Sequence, residues 1–146
     1  NGRNDNMFSL RFLIGFLIFI LSVHTLATVR YWYWTIWWFD IPMHFFGGFW
    51  AAVVFVWFIN KYFPQISQLH NFLSSLIAIL SFVALIGVLW EFAEFLFDVF
   101  ISSGGYAKIV QQDAADTLGD LLFDLLGGLT VAVIFLTGKN KANSAE

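Results

Sequence analysis

The chain has 146 residues, of which 60% are hydrophobic and 21% aromatic, whereas only 12% are charged and the net charge is −3. A soluble domain normally carries about a quarter charged residues, so this composition excludes a water-exposed globular protein and predicts an integral membrane protein. The chain has no cysteine, which excludes disulfides and thiolate metal sites, and it has no basic tract of the kind that binds nucleic acid.

Four segments are apolar over the length of about 20 residues that a helix needs to cross a bilayer, namely residues 8–29, 40–59, 71–100 and 113–137. They predict an all-α integral membrane protein, folded as one domain in a four-transmembrane-helix bundle. The tails, residues 1–7 and 138–146, are polar, and the second is predicted to be disordered.

An aromatic segment, "RYWYWTIWWFD" at residues 30–40, separates the first two spans. Indole and phenol rings favour the headgroup level, so this segment is predicted to lie at the membrane interface, in part as a short in-plane helix. Basic residues set the orientation by the positive-inside rule, which predicts cytoplasmic termini. The side of the termini holds Arg3, Arg11, Lys61, Lys139 and Lys141, against Arg30 and Lys108 on the other side.

Acidic and histidine side chains gather at one end of the predicted bundle. Because consecutive spans alternate in direction, the ends of the first and third spans lie beside the starts of the second and fourth. The ionisable residues there are His24, Asp40, His44, Glu91, Glu94, Asp98, Asp113, Asp116, Asp120 and Asp124. Within each helix most are three, four or seven residues apart and therefore share a face.

A charge at membrane depth costs at least about 2.5–3.5 kcal/mol, so these side chains are predicted to face a shared interior chamber. Shared protons or a bound cation must then offset the repulsion between the carboxylates. Histidine with carboxylates suits Zn²⁺, Mn²⁺, Fe²⁺ or Mg²⁺. The predicted metal ligands are His44, Glu91, Glu94, Asp116, Asp120 and Asp124. Residues predicted to surround them or to line the rim are Asp40, His24, Asp98, Asp113, Arg30 and Lys108.

Structural explanations compete with these roles at several positions. Aspartates at helix starts, such as Asp40, Asp113 and Asp116, can cap free backbone N–H groups. Asp98 also fits a residue at the headgroup level, and His24 fits a hydrogen-bonded core residue. Small residues allow close helix approach, which predicts a packing role for five glycines. They are Gly47, Gly48, Gly119, Gly127 and Gly128.

Three motifs, "DIPMHFFGG", "WEFAEF" and "DTLGDLLFDLLGG", resemble the YjdF-like family of small bacterial inner-membrane proteins. The matching positions are Asp40, His44, Gly48, Glu91, Glu94, Asp116, Asp120 and Gly127. More distantly, the chain is similar to the VanZ-like proteins linked to glycopeptide-antibiotic resistance, which share an Asp–His pair, a Glu and a late Asp–Gly segment. The resemblance covers about residues 40–128 and implies a multi-pass protein of the bacterial inner membrane. It implies a shared set of polar residues and brings no reaction with it.

Three functions stay open on the sequence alone. One is a metal-binding membrane protein that hydrolyses or modifies an envelope lipid, with a lipid headgroup or lipid-linked substrate at the acids and Glu91 or Glu94 as general base. Another is a non-catalytic subunit or assembly factor whose acids bind a membrane-protein partner or a second copy. The third is a proton or cation transport component, which the scarcity of acids in the other half of the bilayer disfavours.

Overall fold

The computed structural model describes residues 9–65, 71–100 and 114–143, and these residues are helical with no strand among them. The helices are α1 (Leu10–Val29), α2 (Trp32–Thr35), α3 (Asp40–Tyr62), α4 (Phe72–Phe100) and α5 (Ala114–Asn143). Four of them, α1, α3, α4 and α5, are long and apolar enough to cross a membrane, α5 over Ala114–Gly138. The prediction of an all-α protein with four membrane-crossing helices is therefore confirmed.

Local interactions define the helix ends. The Ser9 hydroxyl accepts a hydrogen bond from the backbone N–H of Phe12 at 3.2 Å and caps the start of α1. After α1, Tyr31 takes a left-handed conformation with φ of 58°, which turns the chain into the single helical turn of α2. At the start of α4, the Asn71 side chain accepts from the backbone N–H of Ser74 at 2.9 Å. Such caps satisfy backbone groups that a helix end leaves without an intrahelical partner.

The polar C-terminal segment differs from the prediction. Disorder was predicted from residue 138 onward. That prediction is wrong for residues 138–143, because α5 continues without interruption to Asn143. Lysine and alanine are good helix formers, and positive charge near a helix C-terminus interacts favourably with the helix dipole. The sequence "KNKAN" therefore extends the helix beyond the apolar span, and only residues 144–146 of that tail lie outside the described residues.

The bundle is built around the pair α3 and α5, which make the most extensive interhelical contact, and α4 packs against both. Two glycines bring the pair together. A Cβ added to Gly48 would overlap the backbone carbonyl of Asp124, and one added to Gly127 would overlap the backbone carbonyl of Phe45. Lipid supplies no hydrophobic driving force between helices, so close backbone approach at small residues is a main source of their association.

The first helix, α1, packs mainly against α3. Its attachment lies near its N-terminal end, where Leu13 joins the core cluster and its backbone carbonyl accepts a hydrogen bond from the indole of Trp50 at 2.9 Å. Farther along α1, Ala27 is the only other buried residue among those described, whereas Ile18 and Phe19 are exposed for contact with lipid. The helix is thus held less tightly than the other three.

Apolar and polar interiors occupy different halves of the bundle. The core cluster contains Val53, Val56, Ile79, Val83 and Val131, from the second half of α3, the first half of α4 and the second half of α5. The opposite halves of the same helices contain the buried polar side chains, which are His44, Glu91, Asp120 and Asp124. The fold therefore brings the acids from three helices together at one end of the bundle.

Candidate metal centre

His44 lies at the centre of the polar cluster. It is in the second turn of α3 and is only 5% exposed. Its Nε2 lies 3.4 Å from Oδ1 of Asp40, one turn earlier in α3, and 3.7 Å from Oδ1 of Asp120 in α5. The other ring nitrogen, Nδ1, lies 3.6 Å from Oδ2 of Asp124. Each ring nitrogen of His44 therefore faces a carboxylate of α5, which reaches the ring because α3 and α5 cross at this point.

Two groups of side chains have donor atoms close enough to hold one metal ion. The first is Asp40, His44 and Asp120, and the second is His44, Glu91 and Glu94. In each group the donor atoms lie within 4.8 Å of one another. The groups share His44, so α4 faces the same histidine as α3 and α5. Imidazole nitrogen and carboxylate oxygen are ligands that borderline and hard divalent ions accept.

Asp124 occupies a niche formed by glycines. A Cβ built on Gly87 of α4 would lie 2.6 Å from Oδ2 of Asp124, and one on Gly47 of α3 would lie 3.7 Å from Oδ1. Gly48 meets the backbone of the same aspartate. The glycines thus leave room for a carboxylate between three helices, where Asp124 is 5% exposed. Their small size serves the polar cluster as well as helix packing.

The described basic side chains do not balance the charge of the acids. These are Arg11, Arg30 and Lys61, and none of them forms an ion pair with the cluster. Lys61 instead lies over the rings of Trp57 and Tyr62, and Arg30 is exposed at the end of α1. Buried charges are stable only when they are compensated, and shared protons or a bound cation would supply that compensation around His44.

A cavity of about 130 Å³ adjoins the cluster between α1, α3 and α4. At its polar end the hydroxyl of Tyr33 and Nδ1 of His24 share a hydrogen bond of 2.7 Å. The indole of Trp90 donates to Oε1 of Glu94 at 2.7 Å, and its ring meets the edge of His24 at 5.4 Å between centroids. The remaining polar lining comes from Asp40, His44 and Asp124.

Comparison with known proteins identifies a family. Residues 3–141 match the family described as "Predicted membrane protein (DUF2238)". The chain belongs to this family. It is the family of the YjdF-like proteins, so that resemblance is confirmed, whereas the distant similarity to VanZ-like proteins stays a prediction. No curated protein and no solved structure matches the chain.

Several sequence-predicted residues lie beside the two donor groups without belonging to them. Asp124 contacts His44 but is in neither group, and Asp116 and Asp98 are half-buried and in neither group. Asp40 is the first residue of α3, where the N-cap position is Phe39, and the Asp40 carboxylate faces His44. Asp113 and Lys108 lie outside the described residues. The ligand roles of Asp116 and Asp124 therefore stay predictions.

The sequence analysis missed Tyr33, Trp90 and Gly87. Tyr33 belongs to the aromatic segment, where its ring type indicates only an interfacial anchor. Trp90 is four residues before Glu94, the helical spacing that allows its indole to reach that carboxylate, and this spacing is a signal the sequence does contain. Burial and the nearby charges of Asp40, Glu94 and Asp120 raise the pKa of the Tyr33 hydroxyl. Tyr33 consequently keeps its proton and can donate it in a hydrogen bond.

Proposed function

We propose that this protein binds a divalent metal ion at His44 and that the ion acts on a polar group of an envelope lipid. One observation carries the proposal: a buried histidine is shared by two groups of carboxylates, and in each group the donor atoms lie within 4.8 Å of one another. A divalent ion supplies positive charge at the point where the acids converge. Zn²⁺, Mn²⁺, Fe²⁺ and Mg²⁺ all suit these donors.

The geometry of the imidazole favours Asp40, His44 and Asp120 as ligands. Nε2 faces both aspartates of this group, while Nδ1 faces Asp124. A carboxylate on the far nitrogen of a metal-bound histidine fixes its tautomer and its ring orientation. In this assignment Asp124 is a positioning residue. Glu91 and Glu94, which form the second donor group with His44, would help to hold the ion or serve as general base toward water.

The depth of the site supports a lipid as substrate. His44 is four residues from the start of α3, which corresponds to about 6 Å along the helix axis. Glu94 is six residues from the end of α4, or about 9 Å. A metal ion at this level lies just beneath the headgroups, where it can polarise a phosphate or ester oxygen and activate water for hydrolysis.

The interior beneath the cluster disfavours ion transport. In the described helices the other half of the bundle is filled by apolar side chains, among them Val53, Val83 and Val131, each at most 2% exposed. A conducting path needs polar groups or water through both halves of the bilayer. A closed apolar core next to a one-sided polar cluster instead fits a site that binds its ligand from one membrane face.

Metal content tests the proposal directly. We expect the wild-type protein, purified in mild detergent without chelator, to retain about one divalent ion per chain, and His44→Ala to retain none because both donor groups lose their shared ligand. His24→Ala is the matched control. It removes a histidine that lines the same cavity but belongs to neither group, so its metal content should equal that of the wild type.

Elemental analysis by inductively coupled plasma mass spectrometry, normalised to protein concentration, gives the stoichiometry. A wild-type protein free of metal after expression in metal-supplemented medium contradicts the proposal. If a second protein copurifies with that metal-free chain in fixed ratio, the acids serve a partner's basic groups, as a subunit or assembly factor requires.

Orientation is the second point to test. We propose that the chain lies in a bacterial inner membrane with both termini cytoplasmic, since Arg11 and Lys61 lie at the end of the bundle away from the acids. Green fluorescent protein fused to either terminus should therefore fluoresce, and alkaline phosphatase at the same positions should be inactive. Active phosphatase at both termini shows the opposite orientation and places the acidic cluster at the cytoplasmic face.

A further inference from the structure

The cavity beside the candidate metal centre has an apolar end that the proposed metal chemistry does not use. Away from the polar residues its walls come from three helices. They include Leu17 and Ile20 of α1, Trp50 and Ala51 of α3, and Val83 and Ile86 of α4. Leu17 is seven residues before His24, and Ala51 is seven residues after His44, so the cavity extends about 10 Å toward the bilayer centre.

This apolar end suits hydrocarbon and not water. A buried water molecule needs two to four polar partners, whereas the wall residues around Leu17, Ala51 and Val83 have apolar side chains. A cavity of about 130 Å³ approaches the size of an engineered apolar cavity that binds benzene. It therefore has room for several methylene groups, and at membrane depth the hydrocarbon at hand is the acyl chain of a lipid.

The packing of α1 supplies a path from the bilayer. This helix packs mainly against α3, and the hydrogen bond from Trp50 to the Leu13 carbonyl fixes its N-terminal part. Beyond that bond, the cavity lies between α1 and α4, and both helices present partly exposed side chains at its edge. Leu21 of α1 is 43% exposed and Trp90 of α4 is 38% exposed. A lipid chain can thus approach from the side, between α1 and α4.

We propose that the cavity binds one acyl chain of a membrane phospholipid, which enters between α1 and α4 and directs its headgroup toward His44. The role of the headgroup rests on the proposed metal function, while binding of the chain depends on the apolar walls alone. The lipid substrate class is then diacyl phospholipids, with the scissile polar group at the top of the cavity.

Photolabelling in vesicles tests the inference. The protein is reconstituted in phosphatidylethanolamine and phosphatidylglycerol containing a trace of phosphatidylglycerol with a diazirine along one acyl chain. After illumination, mass spectrometry maps labels on the cavity walls of α3 and α4, at Trp50 and Ile86. Leu17→Trp fills the cavity with an indole, and exclusion of even two methylenes weakens binding about tenfold, so these labels should fall about tenfold.

Ile18→Trp is the matched control, because Ile18 is 59% exposed, follows Leu17 directly and does not line the cavity. It should leave labelling of Trp50 and Ile86 unchanged. Leu21→Trp, at the exposed edge, provides a second blocking variant that does not disturb the core should Leu17→Trp fail to fold. The same probe with an ethanolamine headgroup tests the role of the headgroup. Equal labelling of Trp50 and Ile86 by the two probes shows that the acyl chain sets the affinity, and unequal labelling shows that the headgroup contributes.

The outcomes separate this inference from the proposed metal function. Undiminished labels at Trp50 and Ile86 in folded Leu17→Trp and Leu21→Trp overturn the acyl-chain site, whatever the metal content of the protein. Loss of those labels in both variants, together with a metal-free wild type, retains the acyl-chain site and rejects the metal centre. Loss of labels with full metal content in Leu17→Trp supports both.

Discussion

Gly48→Ala and Gly127→Ala are each expected to lower the free energy of unfolding by about 3 kcal/mol or more, at the upper end of the cost of overpacking. The added methyl group would meet backbone atoms, the carbonyl of Asp124 in one case and that of Phe45 in the other. Backbone cannot rotate aside as a side chain can. The helices α3 and α5 must therefore separate, and the contact at the centre of the bundle weakens.

Gly119→Ala and Gly138→Ala are the matched controls. Both are glycine-to-alanine changes in α5, but a Cβ at either position has no heavy atom of the described residues within 4 Å. They should be neutral or stabilising by up to about 1 kcal/mol, the difference in helix propensity between alanine and glycine. Thermal or sodium dodecyl sulfate unfolding of purified protein gives the comparison. Equal effects at Gly48 and Gly119 contradict the packing assigned to the α3–α5 crossing.

The same glycines show where sequence reasoning reaches its limit. All five glycines were predicted to pack helices, but a Cβ at Gly119 would meet no neighbouring atom among the described residues. The sequence surroundings of Gly119 and Gly127 are similar, since each directly follows a leucine in the same helix. Which one meets a neighbouring backbone depends on where two helices cross, and that point is a property of the three-dimensional packing.

The gathering of the acids at one end of the bundle could be predicted, because it follows from the lengths of the four spans and their alternating directions. Four alternating spans place Asp40, Glu94 and Asp120 at one end of the bundle, and helical spacing places each on an interior face. The histidine contacts could not be predicted. They depend on the rotation of α3 and α5 about their axes, which brings Asp120 to Nε2 and Asp124 to Nδ1 of the same ring.

The aromatic residues illustrate a different difficulty. Tyr33 and Trp90 are amphipathic, and such side chains are common at the headgroup level, so their residue type alone indicates anchoring. Here the polar group of each contacts a side chain of the cavity, His24 for the Tyr33 hydroxyl and Glu94 for the Trp90 indole. A hydrogen bond to a polar side chain of the cavity distinguishes a site residue from an anchor, and the sequence does not indicate that partner for Tyr33.

Substitution of the individual aspartates should separate ligands from the residue that orients the histidine. Asp120→Asn removes a charged ligand and is expected to weaken metal binding by more than about 100-fold. Asp124→Asn keeps the ligands but alters the partner of Nδ1, and loss of such a partner typically weakens binding by about 10- to 100-fold. Competition with a chromophoric chelator in detergent measures both affinities, and asparagine preserves the volume of each side chain.

Asp116→Asn, one turn before Asp120 on α5, completes the series and should change the affinity little, because Asp116 lies outside both donor groups. The order of the three effects carries the assignment. If Asp124→Asn matches Asp120→Asn, the ion lies on the Nδ1 side of His44 and Asp124 is a ligand. If Asp116→Asn lowers the metal affinity as much as Asp120→Asn does, the ion lies nearer the membrane surface than His44. In that case the two carboxylate groups that share His44 are not the basis of metal binding.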